Sequence, residues 1–425
     1  MKKSNVTPLH ADGHSRPADA TPGLRIGDFP LDELAGGEAK PPLVSLIVIN
    51  FNYAEFVGRA LASIRAQDYP RFEVVVVDNA STDRSAEIIA AQIADDPRFH
   101  FIRSEQNNFV MHAALQGLAA SSGQFVCFVD ADDYLFRNFV STHVQVHLAL
   151  PRSVGFTSSN VVEIASDGAI LAGSRKGVAV KTNPDKRGLR AANTVPRLAT
   201  IADDEYDQLN DEIAILSQTK KGWLWSTGTA NFYRRNVLEF ALPRAGAEEI
   251  SILAADGYFA RFAHWLAGSA LIERPLSAYR IHGDNVFGKG PSLMGLNGGG
   301  GRAAEWLPRR RRFLLQSVLE RASEIADRTA PGRFWGILDQ ALDALRGSAE
   351  QELGDEAVQT IFADAIPSLV AQFGLRTVVI ELHKLIPRRH LWRISARVHQ
   401  DHARAMRARL IKTEVRHALR LLLRR

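Results

Sequence analysis

The chain has 425 residues, which at roughly 150 per domain allows two or three domains and a sizeable buried core. With 46% hydrophobic and 23% charged residues it is an ordinary globular chain, and a mainly disordered, collagen-like or coiled-coil protein is excluded. A single cysteine, Cys127, excludes an internal disulfide framework and a Cys-rich zinc site and suits a reducing compartment, so the expected location is cytoplasmic. The net charge of +5 is unevenly spread: from Arg388 to Arg425, eleven Arg and one Lys face only Asp401 and Glu414, giving this tail +10 and the rest of the chain −5. Such asymmetry points the tail toward an anionic surface and gives the acidic body no reason to bind nucleic acid.

Residues 1–40 are rich in Gly, Pro, Asp and Ala without apolar period and read as a flexible leader with no secretory signal. The run Leu43 to Ile49 is short, apolar and β-branched, as in a strand buried on both faces. Phe56, Val57, Ala60, Leu61 and Ile64 then recur at helical spacing, and Phe72 to Val77 is a second buried strand, completing one βαβ unit. Ser81, Thr82 and Asp83 can cap a helix carrying Ile88, Ile89 and Ile93; a short strand from Phe99 to Ile102, a helix from Val110 to Ala120 and a strand from Phe125 to Val129 follow. The stretch from Gln106 to Val129 is too interrupted by polar residues to span a bilayer. This alternation predicts an α/β fold, a doubly wound, mostly parallel sheet whose ligands lie beyond the carboxyl ends of the strands.

From Val154 the texture changes to short strands, with a turn at Ser166-Asp167-Gly168 between Asn160–Ile164 and Ala169–Ala172. The stretch from Lys181 to Lys221 is polar and is read as either an active-site loop or an insertion. Residues 291–302, with five glycines, read as a linker after a body spanning 41–290. Beyond it, residues 303–425 have helical period in Leu314, Val318, Phe334, Leu338 and Leu345 and predict a helical C-terminal region.

Chemistry concentrates at predicted strand ends. Asp130, Asp132 and Asp133 follow directly on a buried strand, and three carboxylates so close repel one another unless a cation or a solvated turn accommodates them. Hard oxygen ligands suit Mg²⁺ or Mn²⁺. Asp78 and Asn79 end the second strand, where a doubly wound sheet places a nucleoside. A Gly-x-Gly-x-x-Gly fingerprint and a Walker lysine are both missing, which argues against dinucleotides and P-loop phosphate transfer. Trp223 and Trp225 read either as an acceptor pocket or as strand core.

Ile49-Asn50-Phe51-Asn52-Tyr53, Val76-Val77-Asp78-Asn79-Ala80-Ser81-Thr82-Asp83, Asp130-Ala131-Asp132-Asp133, Ala255-Asp256-Gly257-Tyr258 and Pro275 to Asn285 together resemble the ordered motifs of the family 2 glycosyltransferases of the GT-A fold, over about Pro41 to Phe287. The resemblance implies a hexosyltransferase-type enzyme of polysaccharide biosynthesis, moving a sugar from a nucleoside diphosphate donor to a glycan or lipid-linked acceptor by metal-assisted, inverting displacement. It implies Asp130, Asp132 and His282 as metal ligands, with Asp130 and His282 also close to the donor. Asp256 is the implied general base, and Asn50, Phe51, Asp78 and Asn79 the holders of base and ribose. Three departures from the family pattern stand out: Ala255 where Glu often precedes the base, Ala114 and Leu115 where an Arg and an Asn often face the diphosphate, and Asn79 where a second Asp is common. The departures at Ala255, Ala114 and Leu115 also fit a non-catalytic relative that binds nucleotide-sugar or glycan as a scaffold. A sugar-1-phosphate nucleotidyltransferase fits poorly, because Asn50 to Tyr53 contains no glycine. The basic tail, with Leu410, Ile411, Val415, Ala418, Leu419 and Leu422 at helical spacing, either lies peripherally on the inner membrane face or packs on the body or a partner.

Overall fold

In the computed structural model the described residues are 23–26, 29–31, 39–174, 186–282, 285, 302–330, 332–345, 353–399 and 402–412. Fourteen strands occur among them: β1 Leu24–Ile26, β2 Phe29–Pro30, β3 Val44–Asn50, β4 Phe72–Asp78, β5 Phe99–Arg103, β6 Phe125–Asp130, β7 Tyr134–Leu135, β8 Phe156–Ala165, β9 Ile170–Ala172, β10 Lys186–Arg187, β11 Arg197–Leu198, β12 Ile213–Leu216, β13 Asn231–Arg234 and β14 Ser269–Ile281. The helices of the body are α1 Val57–Arg65, α2 Ser85–Ile93, α3 Phe109–Ala119, α4 Phe139–Ala149, α5 Asp203–Asp211, α6 Arg235–Phe240, α7 Ala247–Ser251 and α8 Ala255–Ala267. The C-terminal region is helical, as expected, with α9 Arg302–Glu320, α10 Ala322–Arg328, α11 Arg333–Leu345, α12 Glu356–Phe373, α13 Leu375–Leu385, α14 Arg388–Arg397 and α15 over 402–412.

Eleven strands form one mixed sheet in the order β10-β12-β14-β8-β13-β6-β3-β4-β5, with β7 on β14 and β9 on β8. The βαβ half, β6-β3-β4-β5, is parallel throughout; β13 then intervenes antiparallel between β6 and β8. All seven residues of β3 are buried because helices cover both faces. Leu46, Val48, Val74 and Val76 meet α1, α2 and α4 on one side, and Ile47, Ile49, Val75 and Val77 meet α3 on the other. That strict alternation is the pleat read through two cores.

Gly117 brings α3 against β3: a Cβ there would stand 2.3 Å from Ile47 Cγ2. Gly117→Ala should therefore cost about 1–3 kcal/mol by overpacking, measured as a lowered unfolding temperature. Adding Ile47→Ala should recover part of the loss; a single variant as stable as wild type would refute the contact.

Several expectations shift on contact with the structure. The leader is not unstructured to residue 40: Leu24–Ile26 pairs with Arg197–Leu198, Leu24 is buried, and Arg25 bonds Asp203 at 3.2 Å. Residues 186–221 are not a bare loop: they carry the helix α5 and the strand β12, which is wholly buried and joins β14 in the sheet. The predicted linker at 291–302 lies outside the described residues except Arg302. α9 to α15 bury their apolar faces in the same hydrophobic core as α3 and α8. Within the basic tail, Leu391, Ile394, Met406 and Leu410 are buried in that core while Ile411 is 51% exposed; Val415 to Leu422, which carry most of the expected amphipathic face, lie outside the described residues. Among the described residues no helix is long and apolar enough to cross a membrane.

Candidate active site

The ends of β3, β4 and β6 stand side by side, with Asn50 opposite Asp78 and Ile49 opposite Asp130 in register. Chain connection makes this the side where β-strands hand over to loops, so polar side chains gather there without disturbing the core. Asn50 Nδ2 donates to Asp78 Oδ1 at 2.7 Å and to Ser81 Oγ at 3.0 Å, and the Ser81 hydroxyl donates to Asp78 Oδ1 at 2.5 Å. Both Asn50 and Asp78 are fully buried, so they form the floor of this shelf. Ser81 is thus a shelf residue and not a helix cap, while Asp83 accepts from the Ser85 amide at 2.9 Å, as the capping reading foresaw.

Above the floor, Asn79 donates to Asn107 Oδ1 at 2.8 Å and accepts from the Asn108 amide at 3.1 Å. Phe51 is exposed at 38% at the mouth. Asn52 and Ala80 have φ of 57° and 64°, a left-handed conformation uncommon for residues with a Cβ, which marks both turns as shaped for more than chain reversal.

The acidic cluster is not a solvated turn: Asp132 and Asp133 are 7% and 2% exposed. Burial, then the charges of Asp132 and Asp256, hold Asp130 well above the usual carboxylate range; burial, then Asp132 and Asp130, do the same to Asp133. Asp133 Oδ1 accepts from the Arg280 amide at 2.9 Å, and the Arg280 guanidinium donates to the carbonyls of Asp132 and Ser166 at 2.8 Å each while lying 4.7 Å over the Phe56 ring. Arg280 therefore ties the acidic turn to β14. At the end of β14, His282 Nε2 meets Asp132 Oδ2 at 2.9 Å, and its ring packs against Tyr53 and Phe56.

A cation fits this set. Nε2 and Oδ2 at 2.9 Å are spaced as neighbouring ligands of an octahedral ion with bonds of about 2.1 Å would be, and a positive charge would relieve the repulsion that raises Asp130. Among the described residues no three His, Cys, Asp or Glu side chains are grouped closely enough to hold a metal ion together, so the geometry offers Asp132 with His282, and Asp130 nearby. An open site of one or two carboxylates, completed by water and ligand oxygens, is the usual arrangement for Mg²⁺.

Asp256 lies in the first turn of α8, with Oδ1 accepting from the Gly257 amide at 2.6 Å. It faces Asp130 across Gly228, where a Cβ would lie 3.5 Å from both Asp130 Oδ2 and Asp256 Cβ. The absence of a side chain there keeps a gap between the two carboxylates. Burial raises Asp256 above its ordinary value, opposed by the Gly257 amide and then by Arg310 and Arg261. Those two arginines, with Arg280 and the Asn107 turn, are site residues that the sequence reading did not single out. Arg309 to Arg312, four consecutive cations inside one helix, was the available signal, since such a run cannot face a single direction. Ala114 is buried and Leu115 packs on the core, so α3 sends no cation into the gap from these positions. Trp225 is core, its Nε1 donating to Ser269 Oγ at 2.9 Å, whereas Trp223 is 40% exposed.

The model of the family described as Glycosyl transferase family 2 matches residues 45–158. An uncharacterized glycosyltransferase, alr2836 of Nostoc sp., is 28% identical over 245 residues, 57% of this chain and 66% of that protein. The Campylobacter jejuni GalNAc(5)-diNAcBac-PP-undecaprenol beta-1,3-glucosyltransferase is 32% identical over 105 residues, 24% of this chain and 34% of that protein. The chain thus spans between about a third and two thirds of these relatives' lengths. A solved structure of S. aureus TarS 1-349 aligns with 87% of this chain and 88% of that one, at 16% identity and a TM-score of 0.44.

Proposed function

With residues 45–158 belonging to glycosyl transferase family 2, we propose that this chain moves a sugar from a nucleoside diphosphate sugar to an acceptor hydroxyl with inversion at the anomeric carbon. The observation that carries the reading is the pair Asp130 and Asp256, two half-buried carboxylates on either side of the side-chain-free Gly228 beside the Asn50–Asp78–Asn79 shelf. One carboxylate beside the Asp132–His282 pair suits a leaving diphosphate, and one apart from it suits an incoming hydroxyl.

The shelf would take the nucleoside, Asp78 and Asn79 offering acceptors and an amide donor to base and ribose. A Mg²⁺ or Mn²⁺ ion held by Asp132, with Asp130 and His282, would supply Lewis-acid and electrostatic stabilisation of the departing diphosphate. Asp256 would take the proton of the acceptor hydroxyl as its oxygen bonds the anomeric carbon; the bond from that carbon to the diphosphate oxygen breaks, and its electron pair leaves with the diphosphate. The acceptor class proposed is a glycan or lipid-linked glycan. Peripheral attachment through the basic tail would rest over 388–412 on charge and on the exposed Ile411, because Leu391, Ile394, Met406 and Leu410 are buried.

Thermal unfolding with UDP, GDP or dTDP, each with and without Mn²⁺, tests the donor site. A ligand at 100 times its dissociation constant adds about 2.7 kcal/mol, so one nucleotide should raise the unfolding temperature measurably, only with metal, and Asp132→Ala should lose the effect. No response to any nucleotide would sink the reading and favour a non-catalytic scaffold.

A further inference from the structure

The cations around Asp256 come from two elements. Arg261 projects from α8 with its guanidinium 5.2 Å over the ring of Trp223, and Arg310 projects from α9 with its guanidinium 5.4 Å over the ring of Trp306. Arg310 Nε donates to the Ile252 carbonyl, which fixes the group at the entrance to α8. Both act electrostatically on Asp256, whereas the charges acting on Asp130 are those of Asp132 and Asp256. The positive charge therefore sits on the Asp256 side of the gap. Neither guanidinium closes an ion pair with a carboxylate among the described residues.

Two half-buried guanidiniums on the Asp256 side of the gap, neither closing an ion pair there, offer charged donors that a hydroxyl acceptor by itself does not need. A guanidinium fork matches the paired oxygens of a carboxylate or phosphate, and an aromatic face suits the C–H surface of a sugar ring. The aromatic wall continues past Trp306, whose ring stands edge-on to Phe109 at 6.4 Å. Phe109 is 47% exposed with φ of 65°, a strained state for an aromatic residue, and it opens α3 directly after the Asn107–Asn108 turn.

We propose that Trp223–Arg261 and Trp306–Arg310 flank Asp256 as the acceptor subsite and select an acceptor sugar bearing an anionic group, a carboxylate or a phosphate. The proposal rests on the reading of Asp256 as the base. It also makes α9, which lies beyond residues 45–158, part of the active site rather than a support for it.

Ligand-observed NMR with methyl glucuronide, methyl glucoside and glucose 6-phosphate as probes tests it, using the full chain with and without UDP or GDP and Mn²⁺. Charge-assisted hydrogen bonds of ordinary strength predict at least about tenfold tighter binding of an anionic ring than of the neutral one. The better of the two anionic probes tells carboxylate from phosphate. Arg310→Ala and Arg261→Ala should each abolish the preference, Arg310→Lys should retain part of it, and nucleotide binding should stay at the wild-type level. Equal binding of all three probes overturns the proposal, as does a preference that survives both substitutions. A loss of nucleotide binding in Arg310→Ala equal to its loss of the anionic sugar would assign the guanidinium to the donor diphosphate, and also overturns it. Wild type that prefers the anionic ring but responds to no nucleotide keeps the subsite and removes the transferase reading instead.

Discussion

Asp256→Asn should lower the transfer rate by about 10²–10⁴-fold while leaving the metal-dependent stabilisation by nucleotide unchanged. Asn keeps the shape of Asp and can still accept from the Gly257 amide through its carbonyl oxygen, so α8 keeps its first turn. What disappears is the ability to take a proton. Asp256 does not touch the Asp132–His282 pair, and the shelf under the nucleoside is built from β3 and β4, so binding and chemistry separate cleanly at this residue. The pH dependence carries the same assignment. Burial raises the Asp256 pKa above 3.8, more than the Gly257 amide, Arg310 and Arg261 lower it, and a base works only when ionised. The rate at saturating substrate should therefore rise with pH through a midpoint above the ordinary carboxylate value and then level off. Removing the opposing cation in Arg310→Ala should move that midpoint upward. An Asp256→Asn protein that retains more than about a tenth of wild-type transfer would place the base elsewhere.

How far the sequence could be read follows from where each signal originates. β3, β4 and β6 were legible because strands buried on both faces must be continuous apolar runs, and the residues that end them, Asn50, Asp78 and Asp130, do stand side by side. The register that sets Asn50 against Asp78 follows from those strands being parallel neighbours. β13 was not legible, because a four-residue strand inserted antiparallel between β6 and β8 depends on partners about 70 to 105 residues away. Nor could the two kinds of tryptophan be told apart: Trp225 is core because Ser269 of β14 satisfies its indole N–H, and nothing local to Trp223 announces that it stays exposed. The carboxylates Asp130 and Asp132 were visible as a repelling cluster, whereas Arg310 reaches Asp256 only through the docking of α9, a tertiary fact, and Arg261, five residues beyond Asp256 on α8, carries no local sign of its role. In the tail the amphipathic spacing was real, but spacing alone does not say whether a membrane or a protein core covers the apolar face. Leu391, Ile394, Met406 and Leu410 meet protein.

The docking that brings α9 to the site hangs on Arg321, whose replacement by Met should destabilise the protein by about 2–5 kcal/mol. Arg321 follows α9 directly and is fully buried, with Nε donating to the Phe240 carbonyl at 3.2 Å, a second nitrogen donating to the Leu242 carbonyl, and the guanidinium 5.7 Å from the Phe262 ring. These two carbonyls close α6, so one side chain caps a body helix from within the C-terminal region. Met retains most of the apolar stem but removes the donor from the part-buried Phe240 and Leu242 carbonyls and from the buried contact to the Ser317 carbonyl, at about 1–3 kcal/mol for each that water does not reach. Other links cross the same boundary without reaching the end of α6: Arg244–Glu324 at 2.5 Å and Lys221–Asp339 at 2.7 Å are partly exposed ion pairs worth at most about 1 kcal/mol apiece, and Arg310, Arg333 and Gln340 donate to the Ile252, Trp265 and Thr219 carbonyls. Calorimetry should find the Arg321→Met protein unfolding several degrees below wild type, and Arg244→Ala close to wild type. Because α9 also carries Arg310, the same substitution should weaken binding of an anionic sugar at temperatures where the protein is still folded, while nucleotide binding at the β3–β4 shelf persists. A stability loss under about 0.5 kcal/mol would mean that the apolar contacts of α9 and α11 suffice to hold the region in place, and that the buried guanidinium adds nothing to them.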